Sequence, residues 1–500
     1  MKRNYFIPIY ICVLGIVLAS CGSFLDETSQ DQIVAKTARD YSEMIYGEVY
    51  SNMSTTAGIS SYLDIMTDDC QEYAAKPSTL YPDNRINAFG YWTWQQIPEL
   101  PYQGVLQEDK TWATFYRQIF LTNITLHDLP DLPGTAEEKT YLKGECHLIR
   151  AFAYFMLVNI FGEPYNPATA STDKGVPINN LTSIDIQSFP RSSVAEVYEQ
   201  IKADLRDGLE ALKISDNSKS VFRWNYLGAC TFASRVALYM KEYDEVIRYT
   251  NKVLETKTNL YNLEEKMKNN VNLYFHNSAN PEILFSYGYY NIASMLPSPN
   301  AMFQASTALM NLYVTGDLRA SKGTTTATRN GQFIRAQGRS NYWKNTQYKY
   351  YNPTTTLTFA FAVKVSEAYL NRAEAYACKE NPELDKAVAD INKIRENRFT
   401  TAAYKPLAVE NQQVVIDLVR RERRLELCFE MHRWFDLRRY DDRPRITHTF
   451  RTDPGDANSA LTYVLEPDDP AWVLPVPQSV LQLDPVLDDI RRPERNPVEQ

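Results

Sequence analysis

Between Ala136 and Phe161, apolar side chains return at alternating steps of four and three: Leu142, Cys146, Ile149, Ala153, Met156 and Ile160. Only a helix places residues with that spacing on one face. Phe152 and Phe155 widen the stripe until both sides of the helix must be covered, which calls for helical neighbours. Pro164 closes the segment after Gly162. The rest of the chain repeats the theme. Helical patterns run over Asp31–Met53, Thr111–Leu129, Ser193–Leu212, Glu242–Leu254, Val365–Ala377, Pro382–Arg398 and about Asn411–Tyr440, the last with a break near Glu430. Trp224-Asn225-Tyr226-Leu227-Gly228, followed by Ala233 and Ala237, is a W-x-x-L-G start with small residues one turn apart, the signature of a tetratricopeptide-type helix pair. The predicted fold is mainly α, with about four such helix pairs supporting a loop-rich face.

Two stretches break the helical period. Residues 58–110 and 260–361 collect Pro, Gly, Asn and aromatics, with one strand-like run at Ile283–Tyr287 and a Gly/Thr/Ser-rich stretch over Thr315–Arg339. A proline-rich, non-helical tail ends the chain. No charge run or linker divides residues 21–500, so a single domain is expected.

The first 21 residues carry an address. Lys2 and Arg3 precede an apolar run, and Leu18-Ala19-Ser20 precede Cys21. Tyr5–Ala19 is shorter than the roughly 20 residues a membrane span needs. Small residues directly before a cysteine resemble a bacterial lipoprotein signal, whose cysteine receives the lipid. Residues 1–20 are then a signal peptide, Cys21 the lipidated residue and 21–30 a tether.

Composition narrows the function. The chain is acidic, net −8, and more so once Lys2 and Arg3 leave with the signal; no basic stripe offers a nucleic-acid surface. Cys70, Cys146, Cys230, Cys378 and Cys428 are far apart with no CxxC, and read as free thiols of the core. The five histidines lack metal-ligand spacing, and neither a metal nor another cofactor is predicted. Thirty-four tyrosines, 21 phenylalanines and seven tryptophans are more than helix packing needs, and tyrosine suits wet recognition surfaces.

Several blocks in order resemble the SusD/RagB family of outer-membrane lipoproteins: Cys21 followed by Phe24-Leu25-Asp26; Gly144-Glu145 through Arg150-Ala151-Phe152 to Phe161-Gly162; Tyr226-Leu227-Gly228-Ala229; Glu367-Ala368-Tyr369-Leu370-Asn371-Arg372; Arg421-Glu422-Arg423-Arg424-Leu425-Glu426-Leu427 with Arg433-Trp434-Phe435-Asp436; and Leu474-Pro475-Val476-Pro477. Glu430-Met431-His432 departs from the family's glutamate and glycine before Arg-Trp, and Leu483-Asp484-Pro485 from its Asn-Pro. The resemblance implies a non-enzymatic protein outside the cell, bound to the outer membrane. It would cap a SusC-like TonB-dependent transporter and bind oligosaccharide, with peptide as the alternative ligand. A surface glycoside hydrolase and a scaffold without a small ligand are the readings from other classes.

Sugar rings stack on aromatic faces while polar neighbours take their hydroxyls. The expected binding residues are therefore Asp68, Asp69, Tyr91, Trp92 and Trp94 in the first excursion, where Trp92 and Trp94 share a face if that piece is extended. Tyr287, Tyr289 and Tyr290 are expected in the second. A third group, Tyr342 and Trp343 with Tyr348, Tyr350 and Tyr351, reads as packing or a transporter contact. Glu422, Glu426 and Glu430 share a helix face, but neighbours on one helix cannot flank a glycosidic bond. They read as ion-pair partners of Arg421, Arg423, Arg424 and Arg433. Asp453-Pro454-Gly455-Asp456 reads as a turn, since it lacks the oxygen pattern of a calcium loop.

Overall fold

The computed structural model describes residues 35–51, 62–73, 84–183, 187–216, 221–270, 275–276, 280–287, 303–320, 333–337, 342–345, 361–484, 486–487, 490 and 492–498. Cys21 and its tether, Tyr289, Tyr290, Tyr348, Tyr350 and Tyr351 lie outside the described residues.

The N-terminal part begins with α1 (Ala38–Ile45), α2 (Tyr62–Ile65), strand β1 (Cys70–Glu72) and α3 (Asn84–Trp92). The first scaffold helices follow: α4 (Thr111–Asp128), α5 (Ala136–Phe161), α6 (Val194–Ile214), α7 (Tyr226–Tyr239), α8 (Tyr243–Leu254) and α9 (Leu263–Asn270). The second excursion holds β2 (Ile283–Tyr287), β3 (Phe303–Ala305), α10 (Thr307–Leu312), β4 (Arg335–Gln337), β5 (Tyr342–Asn345) and β6 (Phe361–Lys364). Then come α11 (Val365–Cys378), α12 (Leu384–Glu396), α13 (Gln412–Leu427), α14 (His432–Arg439), β7 (Ile446–Arg451), β8 (Ala460–Leu465) and α15 (Gln478–Leu483). The protein is mainly helical, as its periodicity predicts.

Helices pack as sequential pairs, α5 on α6, α7 on α8 and α11 on α12, with α8 against α11 joining the second pair to the third. Their starts are chemically fixed. Thr135 accepts from the Glu138 amide while the Glu138 carboxylate accepts from the Thr135 amide, and Ser193 and Glu196 repeat the device on α6. Where α5 and α6 cross, Gly144 and Gly208 face one another. A Cβ on Gly208 would sit 2.9 Å from Leu148 Cγ, so the close approach requires glycine. α5 is buried on nearly every side from Tyr141 onward, as Phe152 and Phe155 foretell.

The predicted break near Glu430 separates α13 from α14. Phe429 (φ 58°) and Met431 (φ 62°) both take the left-handed conformation there. Met431 stands where the related family has glycine, the residue that adopts this conformation without steric cost. The Met431 amide donates to Asp64 Oδ1 at 3.1 Å, which holds the bend in place. In the tail, β7 and β8 pair antiparallel from Ile446↔Leu465 to Arg451↔Ala460, and Asp453–Asp456 forms the turn between them. Periodicity foresaw neither this hairpin nor the short strands β1 and β3–β6, nor the short helices α2, α3, α9, α10 and α15; the last corrects the non-helical reading of the tail.

Candidate functional site

The two excursions meet. β1 pairs antiparallel with β3, Cys70 opposite Ala305 and Glu72 opposite Phe303. β3 also lies beside β5, and β1 beside β7. Aromatics separated by more than 200 residues therefore share one region: the Trp92 and Phe303 rings are 4.5 Å apart.

Trp92 and Trp94 do not form a ligand platform, and this corrects the expectation. Residues 84–92 are helical, so the two indoles are not on one face of an extended strand. Trp92 is 1% exposed and Trp94 0%. They sandwich His448, at ring distances of 3.6 and 4.3 Å. Trp92 Nε1 donates to Thr449 O at 2.9 Å and Trp94 Nε1 to Met66 O at 3.1 Å. With both faces covered and both donors used, these rings pin the first excursion to β7. His448 Nδ1 lies 2.7 Å from Trp92 O and Nε2 3.1 Å from Thr67 O. Burial disfavours its cation and outweighs these carbonyls, which favour it, so His448 is held down to about 4.

Asp68 and Asp69 are likewise structural, a second correction. Asp68 takes a two-pronged contact from Arg433, both at 2.8 Å, and Arg424 Nε reaches Asp69 at 2.6 Å. Burial raises the Asp68 carboxyl, but the Arg433 and Arg424 guanidiniums more than offset it and hold it at about 2. The pair ties the first excursion to α13 and α14.

The carboxylates of α13 are ion-paired as expected, but with other partners. Glu422 binds Arg319 (2.7 Å) and Arg395 (3.3 Å), while Glu426 binds Arg319 (3.2 Å) and Arg398 (2.7 Å). Glu430 pairs with Lys364. Arg423 goes to Asp436 at 2.8 Å. Burial would raise the Glu426 carboxyl, yet the two guanidiniums drive it well below the usual carboxylate range. A general acid needs the opposite shift.

An accessible aromatic surface lies around α3 and the segment that follows it. Tyr91 is half-buried and stacks on Tyr62 with ring centroids 4.0 Å apart and 8° between planes. Both hydroxyls donate to Asp109 Oδ2, at 3.2 and 2.9 Å, and the Thr111 amide donates to Asp109 Oδ1 at 2.8 Å. The chain then folds back along α3: a Cβ on Gly90 would stand 2.4 Å from Pro98 O, and the Tyr102 amide donates to Ile86 O at 3.0 Å. This segment carries Leu100, Tyr102, Val105 and Leu106 to the surface. Tyr102 is 37% exposed and braced edge-on by Phe89 at 5.1 Å. A braced, half-exposed tyrosine presents an apolar surface and a hydroxyl at little further ordering cost. Sequence reasoning passed over Tyr102, although Pro101-Tyr102-Gln103-Gly104 marks an aromatic on a turn. Of the other expected residues, Tyr287 lies in β2 opposite Phe361 of β6. Tyr342 and Trp343 lie in β5.

Comparison with known proteins fits this architecture. A family model described as "Starch-binding associating with outer membrane" matches residues 23–238, and one described as "SusD family" matches residues 262–492. The chain belongs to the SusD/RagB family. SusD-like protein P38 of Formosa agariphila is 24% identical over 385 residues, spanning 65% of this chain and 71% of that one. A SusD superfamily crystal structure from Bacteroides thetaiotaomicron superposes with a TM-score of 0.69 at 21% identity, covering 91% of this chain and 100% of the other. A SusD-like carbohydrate binding protein from Bacteroides vulgatus gives 0.66 at 16% identity, over 92% and 98%. A laminarin binding SusD-like protein gives 0.61 at 20%, over 91% and 99%. As in other SusD/RagB chains, the fold is a helical scaffold; here it carries one region of converging excursions. Among the described residues no helix is long and apolar enough to cross a membrane.

Proposed function

We propose that this SusD/RagB protein captures an oligosaccharide at the outer-membrane surface and passes it to a SusC-type TonB-dependent transporter. The observation that carries the reading is the aromatic surface beside α3, where Phe89 braces the exposed Tyr102 from a helix fixed by the Arg85–Glu72 ion pair and by the indole–imidazole stack. Stacking on sugar C–H faces and hydrogen bonding of hydroxyls need no tuned acid or base. A SusD-like carbohydrate binding protein and a laminarin binding SusD-like protein among the similar structures support the same choice. Cys21 would carry the lipid and residues 22–30 would serve as the tether. The tether would let the protein swing on its transporter as a lid.

Calorimetric titration with oligosaccharides from laminarin and from starch tests this reading, with a mixed peptide digest as the contrasting ligand. At least one glucan should bind, and Tyr102→Ala should weaken it about tenfold, the equivalent of roughly 1.4 kcal/mol, with the melting temperature nearly unchanged. Binding confined to the peptides would replace the ligand class. Turnover of a glucan, lost in Glu426→Gln, would make the protein a hydrolase.

A further inference from the structure

A second cleft, of about 320 Å³, opens where the end of α5 meets the end of α14, and it is built from elements other than those around α3. Charged side chains of both signs line it, including Glu163, Asp173, Lys241, Arg438, Arg443 and Asp468. Elsewhere the protein pairs such groups, and within the cleft Lys241 is paired, 2.9 Å from Asp441. The other five make no ion pair among the described residues, although Asp173 Oδ2 accepts from Thr169 Oγ1 at 2.5 Å. Arg438 is buried; its terminal nitrogens donate to Asn159 O and Gly162 O, the carbonyls that close α5, and its Nε–H has no partner among the described residues. The hydrogen bonds of Arg443 go to backbone carbonyls, Arg438 O at 3.3 Å and Pro467 O at 3.5 Å. Among the described residues no carboxylate lies within 4.0 Å of either guanidinium, and Glu163, Asp173 and Asp468 make no ion pair. Burial without a carboxylate partner brings Arg438 down to about 10 and lowers Arg443 as well.

These cations and carboxylates thus line one cleft with no ion pair between them among the described residues, and Arg438 Nε–H keeps no acceptor there. Charge taken partly out of water in this way is costly until something bridges it. An anion would satisfy the two guanidiniums but meet three carboxylates; a cation would meet the reverse. The hydroxyl both donates and accepts, and a molecule bearing several of them can serve both sets at once. Tyr165, half-buried and edge-on to Tyr198 at 4.9 Å, adds an aromatic wall for a C–H face. The volume is at the small end of ligand pockets, about 300–1,000 Å³, enough for a single unit and not a chain. We propose that this cleft is a second saccharide site that takes one neutral sugar unit.

Saturation-transfer NMR on the full chain provides the test, with D-glucose, D-galactose, D-mannose and D-xylose as neutral probes and D-glucuronate and inorganic sulfate as anionic ones. At millimolar concentration at least one neutral sugar should receive saturation. Measured in the Tyr102→Ala background, which silences the surface beside α3, that signal should fall about fivefold or more when Arg443→Gln or Asp468→Asn is added. Asp468 is exposed, so its variant remains informative even where Arg443→Gln fails to fold. Absence of transfer to all four sugars, transfer unchanged in both cleft variants, or preferential displacement by glucuronate or sulfate would each overturn the proposal.

Discussion

The α5–α6 pair and the Trp92–His448–Trp94 stack bury large side chains to the same extent by different routes. Phe155 is fully buried against Phe232 and Tyr239, at 5.4 and 5.1 Å, both on α7, the second helix after its own. The indole stack joins α3 to a strand more than 350 residues later. One core follows from a local period. The other exists only when distant segments are already in place, and ion pairs such as Asp68–Arg433 hold them there. The scaffold is cohesive by packing, and the excursions are cohesive by specific polar links.

The largest effect is expected at the ion lattice of α13, where buried polar links act without either of those cores. Glu426→Ala leaves Arg319 and Arg398 buried with a carboxylate missing, and should cost about 3–5 kcal/mol in urea unfolding. A paired comparison sharpens the contrast: Trp92→Ala and Phe155→Ala should each cost about 3–5 kcal/mol. Hydrogen exchange should accelerate mainly over residues 62–110 and 446–465 in the first, and throughout α5–α8 in the second. Equal spread in both would erase the distinction.

The smallest effect is a pH dependence confined to the stack. His448 is held at about 4 in the folded protein against an ordinary value near 6.5, so the unfolded chain binds the proton first. Its contribution, on the order of 3 kcal/mol, is complete above pH 6.5 and is lost as pH falls towards 4. Buried Asp69, Asp109 and Asp390, whose carboxyls burial raises, act in the opposite direction. The difference between wild type and His448→Gln isolates the histidine: it should move against the wild type by about 3 kcal/mol as pH falls from about 6.5 to 4.

The helices were legible because a 3.6-residue period is written locally, as in Leu142–Ile160. The break near Glu430 and the Asp453–Asp456 turn were legible for the same reason. Helix α3 was not, since Trp92-x-Trp94 imitates strand alternation and Gly90 weakens the helical signal. Glu422 and Glu426 were read as ion-paired, but sequence distance suggested Arg421, Arg423, Arg424 and Arg433 where the fold supplies Arg319, Arg395 and Arg398. Tyr102 escaped notice because exposure is a property of the surface and not of the residue.

The pairing of β1 with β3 has a consequence for how the chain is completed. β1 waits for residues 303–305, and Asp68 waits for Arg433. A polypeptide cut before either point would keep the whole α5–α6 scaffold yet leave Trp92, Trp94 and two aspartates without their cover. A truncated product of this protein therefore exposes the indole rings and carboxylates that the full chain buries.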